Sequence, residues 1–223
     1  MSVPHVIIVG SDKGGVGKTT ISRTLIDYYA TRGITHRAFD TEAPNGVLKR
    51  FHSNKATVVD LAESDGQMKV FDTLREAQVT IIDIRAGLLS NTLRTLSEIG
   101  FLDGIKEGRL RISVLHVIGS SQASFDEIAA TAALVEGAKH HLVANHINDS
   151  KFIGLSDDMK KVGAGVIEIG KLNELAAETV DRLGSGFDAF VINPDYSETL
   201  RGYVRAWLRR ACAAYDAAAL NAL

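Results

Sequence analysis

Two lysines, two hydroxyls and three glycines crowd into the eight residues Lys13-Gly14-Gly15-Val16-Gly17-Lys18-Thr19-Thr20. Side chains of these types, so close together, suit a polyanion. Glycine lets the main chain turn tightly and bring its N–H groups up against an anion. A helix expected from about Gly17 to Arg32 aims its unpaired first-turn donors and positive dipole end at the same point. In loops of this kind the lysine before the hydroxyl, here Lys18, reaches the β- and γ-phosphates of a nucleotide. The hydroxyl that follows, Thr19, holds Mg²⁺. The strict spacing G-x-x-x-x-G-K-[ST] needs glycine at position 12, where this chain has Asp12, so the loop is a variant. A glycine-rich strand-to-helix turn without ligand is the structural alternative.

Carboxylates at strand ends form a second group. Asp40 closes the expected second strand and is followed by Thr41, Glu42, Ala43 and Pro44. Residues two apart on an extended chain face the same side, so Asp40 and Glu42 are expected to point together toward the phosphates. Asp83 ends the run Val79-Thr80-Ile81-Ile82, whose pattern is that of a buried strand. Its carboxylate then falls at the C-terminal edge of a sheet, where ligands of open α/β folds sit, and is assigned to Mg²⁺ through water.

Lys13 to Thr20 resembles the deviant Walker A box of the MinD/ParA family of P-loop ATPases. The resemblance implies a three-layer P-loop fold, ATP and Mg²⁺ as ligands, and slow ATP hydrolysis linked to dimerisation. It implies that Lys13 crosses a homodimer interface to the phosphates held by the partner subunit. A triphosphate with one Mg²⁺ keeps net negative charge, and a second ammonium supplied in trans stabilises it. Lys13, Lys18, Asp40 and Glu42 are therefore the expected catalytic residues. The family usually has Asp-x-Asp-Pro where this chain has Asp40-Thr41-Glu42-Ala43-Pro44. Its second switch, commonly Asp-x-Pro-Ala-Gly, is similar to Asp83-Ile84-Arg85-Ala86-Gly87, with Arg85 in place of proline and Gly87 as the hinge. An asparagine ending a later strand contacts adenine in the family; Asn145 fits, with Asn148 close enough to leave the register open. Pro194 falls where relatives carry a loop flanking the base. The Asp-Thr-Glu switch and the segment Glu168 to Asn173 look similar to the plasmid-encoded, conjugation- or stability-associated branch.

The elements that must position these groups alternate short apolar strands with helical stretches, as in a mostly parallel sheet covered by helices on both faces. Strands are expected near 5–10, 36–40, 56–61, 79–84, 112–118, 141–147 and 164–168, with a weak eighth at 190–192. Helices are expected near 18–32, 65–77, 88–104, 122–137, 171–184 and 196–219, and a polar surface loop at 145–160. No linker or repeat divides residues 1–223, which read as a single domain.

Hydrophobic residues make up 45%, charged residues 23%, and the formal net charge is −2, a plain soluble profile. No window approaches a membrane span, and the N-terminus lacks the features of a signal peptide. The lone Cys212 suits a reducing cytoplasm and argues against iron–sulfur relatives of this ATPase class. His140, His141 and His146 have no metal-binding spacing and are read as structural. In the last helix Leu200, Val204, Trp207, Leu208, Ala211 and Tyr215 recur at core spacing. Arg201, Arg205 and Arg209, with Arg210 beside them, line another face. Such a stripe suits non-specific DNA contact, or, as the favoured reading, a solvated face at the helix's negative end. The expectation is an ATP-dependent dimerising switch that positions or partitions a cargo, stimulated by a partner protein and independent of a membrane. An ATP-dependent carboxylate-activating synthetase, or an ATP-binding module with little hydrolysis, are the alternatives.

Overall fold

The structure, a computed structural model, describes residues 3–119, 128, 131–148, 151–152, 155 and 163–222. Its strands are β1 (His5–Gly10), β2 (His36–Asp40), β3 (Ala56–Val58), β4 (Val79–Asp83), β5 (Arg111–Ile118), β6 (Lys139–Asn145) and β7 (Val166–Ile169). They form one seven-stranded sheet in the order β3-β2-β4-β1-β5-β6-β7, every pairing parallel. Parallel strands need crossovers, and the crossovers lay helices on both faces. The alternation along β1 shows both faces being used. Ile7 and Val9 pack with Ile21 and Leu25 of helix Lys18–Thr31 and with Trp207 and Tyr215 of helix Glu198–Ala217. Val6 and Ile8 pack on the opposite side with Leu89, Leu93 and Leu96 of helix Leu89–Glu98. A strand with helices on both sides has no polar face to show, hence the unbroken His5-to-Gly10 burial.

One consequence decides where chemistry can occur. All strand C-termini lie at the same edge, and the register sets Val9 and Asp40 each opposite Asp83. The loop after β1, the turn after β2 and the segment after β4 are therefore neighbours.

Four expectations are corrected. The helix expected at 65–77 is the α-helix Ser64–Phe71 followed by a separate 3-10 turn, Leu74–Glu76, and the strand expected at 56–61 ends at Val58. Residues 190–192 are not a strand: they close the helix Phe187–Ile192. Four apolar residues in a row fit either period, and the deciding group is remote in sequence. The Asp27 carboxylate accepts from the N–H groups of Phe187 at 2.9 Å and Asp188 at 3.2 Å, capping the helix start. The stretch expected as one helix at 88–104 is two, Leu89–Glu98 and Asp103–Lys106, divided at Gly100, whose φ is +71°. Only part of the helix expected at 122–137, and little of the loop expected at 145–160, falls among the described residues; 131–134 are helical and His146–Asn148 form a 3-10 turn. The last helix packs as its spacing implies. Val204, Trp207, Leu208, Ala211 and Tyr215 are buried, and the Tyr215 hydroxyl lies 2.6 Å from the Thr24 hydroxyl. Among the described residues no helix is long and apolar enough to cross a membrane.

Candidate functional site

β1 delivers the chain at Gly10 to a loop that turns through Gly15 at φ +73° and Gly17 at φ +86°. Both are left-handed conformations that side-chain-bearing residues adopt only with strain. Gly17 is constrained twice over, because a Cβ there would sit 2.3 Å from Asn145 Nδ2. That nitrogen donates to the Val16 carbonyl at 3.2 Å and the Gly17 carbonyl at 3.5 Å, so the end of β6 holds the loop's shape. Helix Lys18–Thr31 begins at Gly17 without a side-chain cap and without an acidic residue in its first turn. Its opening N–H groups and dipole thus remain available to an anion.

Lys18 is buried, and its ammonium donates to the Lys13 carbonyl at 2.9 Å. Burial lowers its pKa, while the charges of Asp83, Glu42 and Asp12 oppose the shift. Around it a cavity of about 330 Å³ is lined by Gly14, Gly15, Gly17, Thr19 and Thr20 of the loop, Asp40 and Glu42 after β2, and Asp83 to Ala86 after β4. Three chain segments therefore meet there.

The acids differ in environment. Asp40 is buried, and both its oxygens accept main-chain bonds, Oδ1 from Glu42 at 2.9 Å and Oδ2 from Leu48 at 2.7 Å. It anchors the turn that carries Glu42. Glu42 itself is exposed at the cavity wall. Asp83 is pushed up to about 7 by burial and by the Asp40 charge across the register, against the pull of the Thr19 and Ser22 hydroxyls and the Lys18 ammonium. Its Oδ1 is buried without a hydrogen-bond partner. An orphaned carboxylate oxygen near a threonine hydroxyl is a hard-oxygen set that suits Mg²⁺, whose charge would offset the cost of burying the anion. The residues present fit the cation.

Thr20 also lines a second cavity, of about 610 Å³, walled by Asn145, Ile147, Leu172, Phe187 and Trp207 among others. Its walls also carry Arg23, Lys171, Glu174, Glu178, Asp181 and Arg182, so apolar, amide and charged groups meet beside the anion site, and the apolar and amide part suits a flat heterocycle. Other expected residues lie elsewhere. Lys13 is exposed and outside the lining of both cavities. Pro194 is exposed after helix Phe187–Ile192 and lines neither cavity. The side chain of Asn148 lies outside the described residues. Gly87 takes φ +78° in the segment beyond Asp83.

Of the three histidines singled out, His140 and His146 are engaged within the protein, whereas His141 is buried with no partner on either ring nitrogen. His116 and His140 stack with nitrogens 3.0 Å apart, and His146 meets Glu168 at 2.7 Å. Among the described residues no group of three or more His, Cys, Asp and Glu side chains is arranged for a metal. The arginine stripe is partly neutralised. Arg201 donates to the Val191 carbonyl at 2.8 Å and pairs with Glu198 at 2.9 Å, and Arg205 lies 3.4 Å from the same carboxylate.

Three side chains at the site escape a reading of the sequence: Asp12, Ser22 and Thr41. Asp12 was visible only as the residue that spoils a glycine pattern. Its carboxylate accepts from the Leu89 N–H at 2.9 Å and from the Ser90 hydroxyl at 2.5 Å, capping helix Leu89–Glu98.

No protein-family model matches the chain. Protein MobD of Acidithiobacillus ferrooxidans is 23% identical over 160 residues, covering 70% of each chain. Among solved structures, the MinD cell division protein of Aquifex aeolicus superimposes with a TM-score of 0.53 at 16% identity, over 91% of this chain and 95% of that one. A plasmid partition protein of Borrelia burgdorferi B31, solved bound to AMPPNP, gives 0.51 at 13% identity, over 93% and 99%. The parallel sheet with helices on both faces is thus the fold of MinD and of ParA-like partition proteins, as the loop's resemblance implied.

Proposed function

We propose that this chain, a single domain over residues 1–223, is a cytoplasmic ATP-binding, slowly hydrolysing dimerisation switch that positions or partitions a cargo. The observation that carries the reading is the 330 Å³ cavity, which gathers an uncapped helix start, Lys18, Thr19, Glu42 and Asp83 from three separate segments. The solved partition protein bound to AMPPNP supports ATP as the nucleotide.

In this reading the amides of the loop from Gly14 to Thr20 and the Lys18 ammonium hold the phosphates, and the base lies toward Asn145 in the larger cavity. Thr19 and Asp83 would hold Mg²⁺, which when bound neutralises phosphate charge. Asp40 keeps the turn after β2 fixed, so that Glu42 orients a water in line with the terminal phosphorus. As the water oxygen bonds to that phosphorus, the bond to the β–γ bridging oxygen breaks, ADP departs with that oxygen, and the water's proton passes to the phosphate released. Lys13 reaches a second subunit; its exposure and its place outside its own cavity favour that role over one within the same chain. The pairing of Arg201 and Arg205 with Glu198 favours a solvated stripe over a DNA-binding one.

Light scattering with ADP and with a non-hydrolysable ATP analogue tests the switch. The wild type should double in mass with the analogue only, and Lys13→Ala should stay monomeric with both. A Lys13→Ala protein that dimerises and hydrolyses ATP like the wild type would overturn the role of Lys13.

A further inference from the structure

Residues Arg85, Ala86, Gly87 and Leu88 are all exposed, although they join two buried elements, β4 and helix Leu89–Glu98. Few packing contacts hold such a segment, so hydrogen bonds at its ends decide where it sits. Inside, the turn is closed by Leu88 N–H donating to the Arg85 carbonyl at 3.2 Å. Each end is tied to a different neighbouring segment, the first to the turn after β2 and the second to the phosphate loop. At the first end the Thr41 hydroxyl accepts from the Arg85 N–H at 2.8 Å and donates to the Asp83 carbonyl at 3.1 Å, while the Thr41 N–H donates to that carbonyl at 3.0 Å. Thr41 stands between Asp40 and Glu42, so one side chain stitches the two acid-bearing strand ends together. At the other end Asp12 of the phosphate loop accepts from the Leu89 and Ser90 N–H groups at 2.9 and 3.4 Å and from the Ser90 hydroxyl.

We propose that Thr41 and Asp12 are positioning residues that pin the segment Arg85–Leu88 at both ends, so that the phosphate loop, the Glu42 turn and helix Leu89–Glu98 shift as one unit when the cavity fills. The first tie depends on the main-chain N–H of residue 85, a donor that proline in that position lacks. The arginine there therefore contributes through its backbone N–H. A displacement of either the loop or the Glu42 turn is carried into helix Leu89–Glu98, whose buried face is Leu89, Leu93 and Leu96. The inference rests on nucleotide occupying this cavity.

The test compares Thr41→Val, which keeps shape and loses the hydroxyl, with Thr41→Ser, which keeps it. Arg85→Pro breaks the same bond from the other side, with Arg85→Ala, which retains the N–H, as its reference. Amide exchange is followed at 86–90 without nucleotide, and kcat and KM for ATP are measured separately. Thr41→Val should speed exchange at 86–88 and cut kcat roughly three- to tenfold, the range of one hydrogen bond between neutral groups, with KM moved less than twofold. Thr41→Ser should restore both. Arg85→Pro should fall below Arg85→Ala by a similar factor, and Thr41→Val should cost less in the Arg85→Pro background than alone, because only its bond to the Asp83 carbonyl is then left to lose. Asp12→Ala should speed exchange at Leu89 and Ser90. Wild-type ATP binding with no difference between Thr41→Val and Thr41→Ser, or with effects of Thr41→Val and Arg85→Pro that multiply, would overturn this inference alone. Failure of the wild type to bind ATP would overturn the proposed function along with it.

Discussion

Replacing Gly17 by alanine should damage the protein through two separable effects. The first is conformational: at φ +86° a side-chain-bearing residue pays roughly 1–2 kcal/mol. The second is a collision, since the new Cβ would lie 2.3 Å from Asn145 Nδ2, inside any real contact distance. Asn145 must then rotate away and lose its bond to the Val16 carbonyl, worth about 1 kcal/mol net. Together they give about 2–3 kcal/mol for Gly17→Ala. Gly15 supplies the control, because it shares the left-handed conformation at φ +73° but a Cβ there meets nothing within 4 Å. Gly15→Ala should therefore cost only the conformational part, about 1–2 kcal/mol. Urea unfolding of the nucleotide-free protein measures both. Asn145→Ala removes the obstacle, so the double variant Gly17→Ala/Asn145→Ala should be more stable than the sum of the singles implies, by about 1 kcal/mol. Equal costs at 15 and 17, or strict additivity with Asn145→Ala, would refute the claim that β6 and the loop are fitted to each other.

Asp83→Asn should raise the stability of the nucleotide-free protein at pH 8 by roughly 1–3 kcal/mol and abolish Mg²⁺-dependent nucleotide binding. The carboxyl is held at about 7 when folded, above its unfolded value, so the native state binds the extra proton and wild-type stability falls as pH rises from 4 to 7. The variant's advantage, followed by urea midpoints, should therefore shrink toward pH 4. His141 behaves in the opposite sense. Burial lowers it to about 4, and neither ring nitrogen has a partner. Its contribution is complete above pH 6.5 and is lost as pH falls toward 4, so His141→Leu should gain on the wild type across that window, in addition to about 1–3 kcal/mol at pH 7.5. Arg201→Ala should cost about 1–2 kcal/mol in thermal or urea unfolding because its guanidinium holds the Val191 carbonyl and Glu198, whereas exposed Arg209→Ala should stay within about 0.5 kcal/mol.

What could be read from the sequence was whatever a local pattern carries. The run from His5 to Val9 followed by glycines and Lys18 announces strand, loop and helix together, because the residues that act are the residues that set the backbone. Asp40 and Asp83 were legible as strand ends, Asp83 because it closes the apolar run Val79 to Ile82 and Asp40 because the turn formers Pro44, Asn45 and Gly46 follow it. Their adjacency was not, because it comes from β2 and β4 pairing in register across 43 residues. Thr41 and Asp12 were hidden for the same reason: their partners are Arg85 and Leu89, 44 and 77 residues away. The helix Phe187–Ile192 was misread because its cap, Asp27, is 160 residues distant. Asn145 was singled out as a base contact, and the structure adds a duty no spacing could reveal, that of holding the carbonyls of Val16 and Gly17.

The central claim is that the loop from Gly14 to Thr20, with Lys18, Thr19 and Asp83, encloses the phosphates of a nucleotide. Isothermal titration of the wild type and of Lys18→Ala with ATP, each with and without Mg²⁺, measures it directly. A saturable, Mg²⁺-dependent heat in the wild type that disappears in a folded Lys18→Ala protein is the predicted result. No heat with ATP under any of these conditions, or equal affinity in the two proteins, would contradict the account.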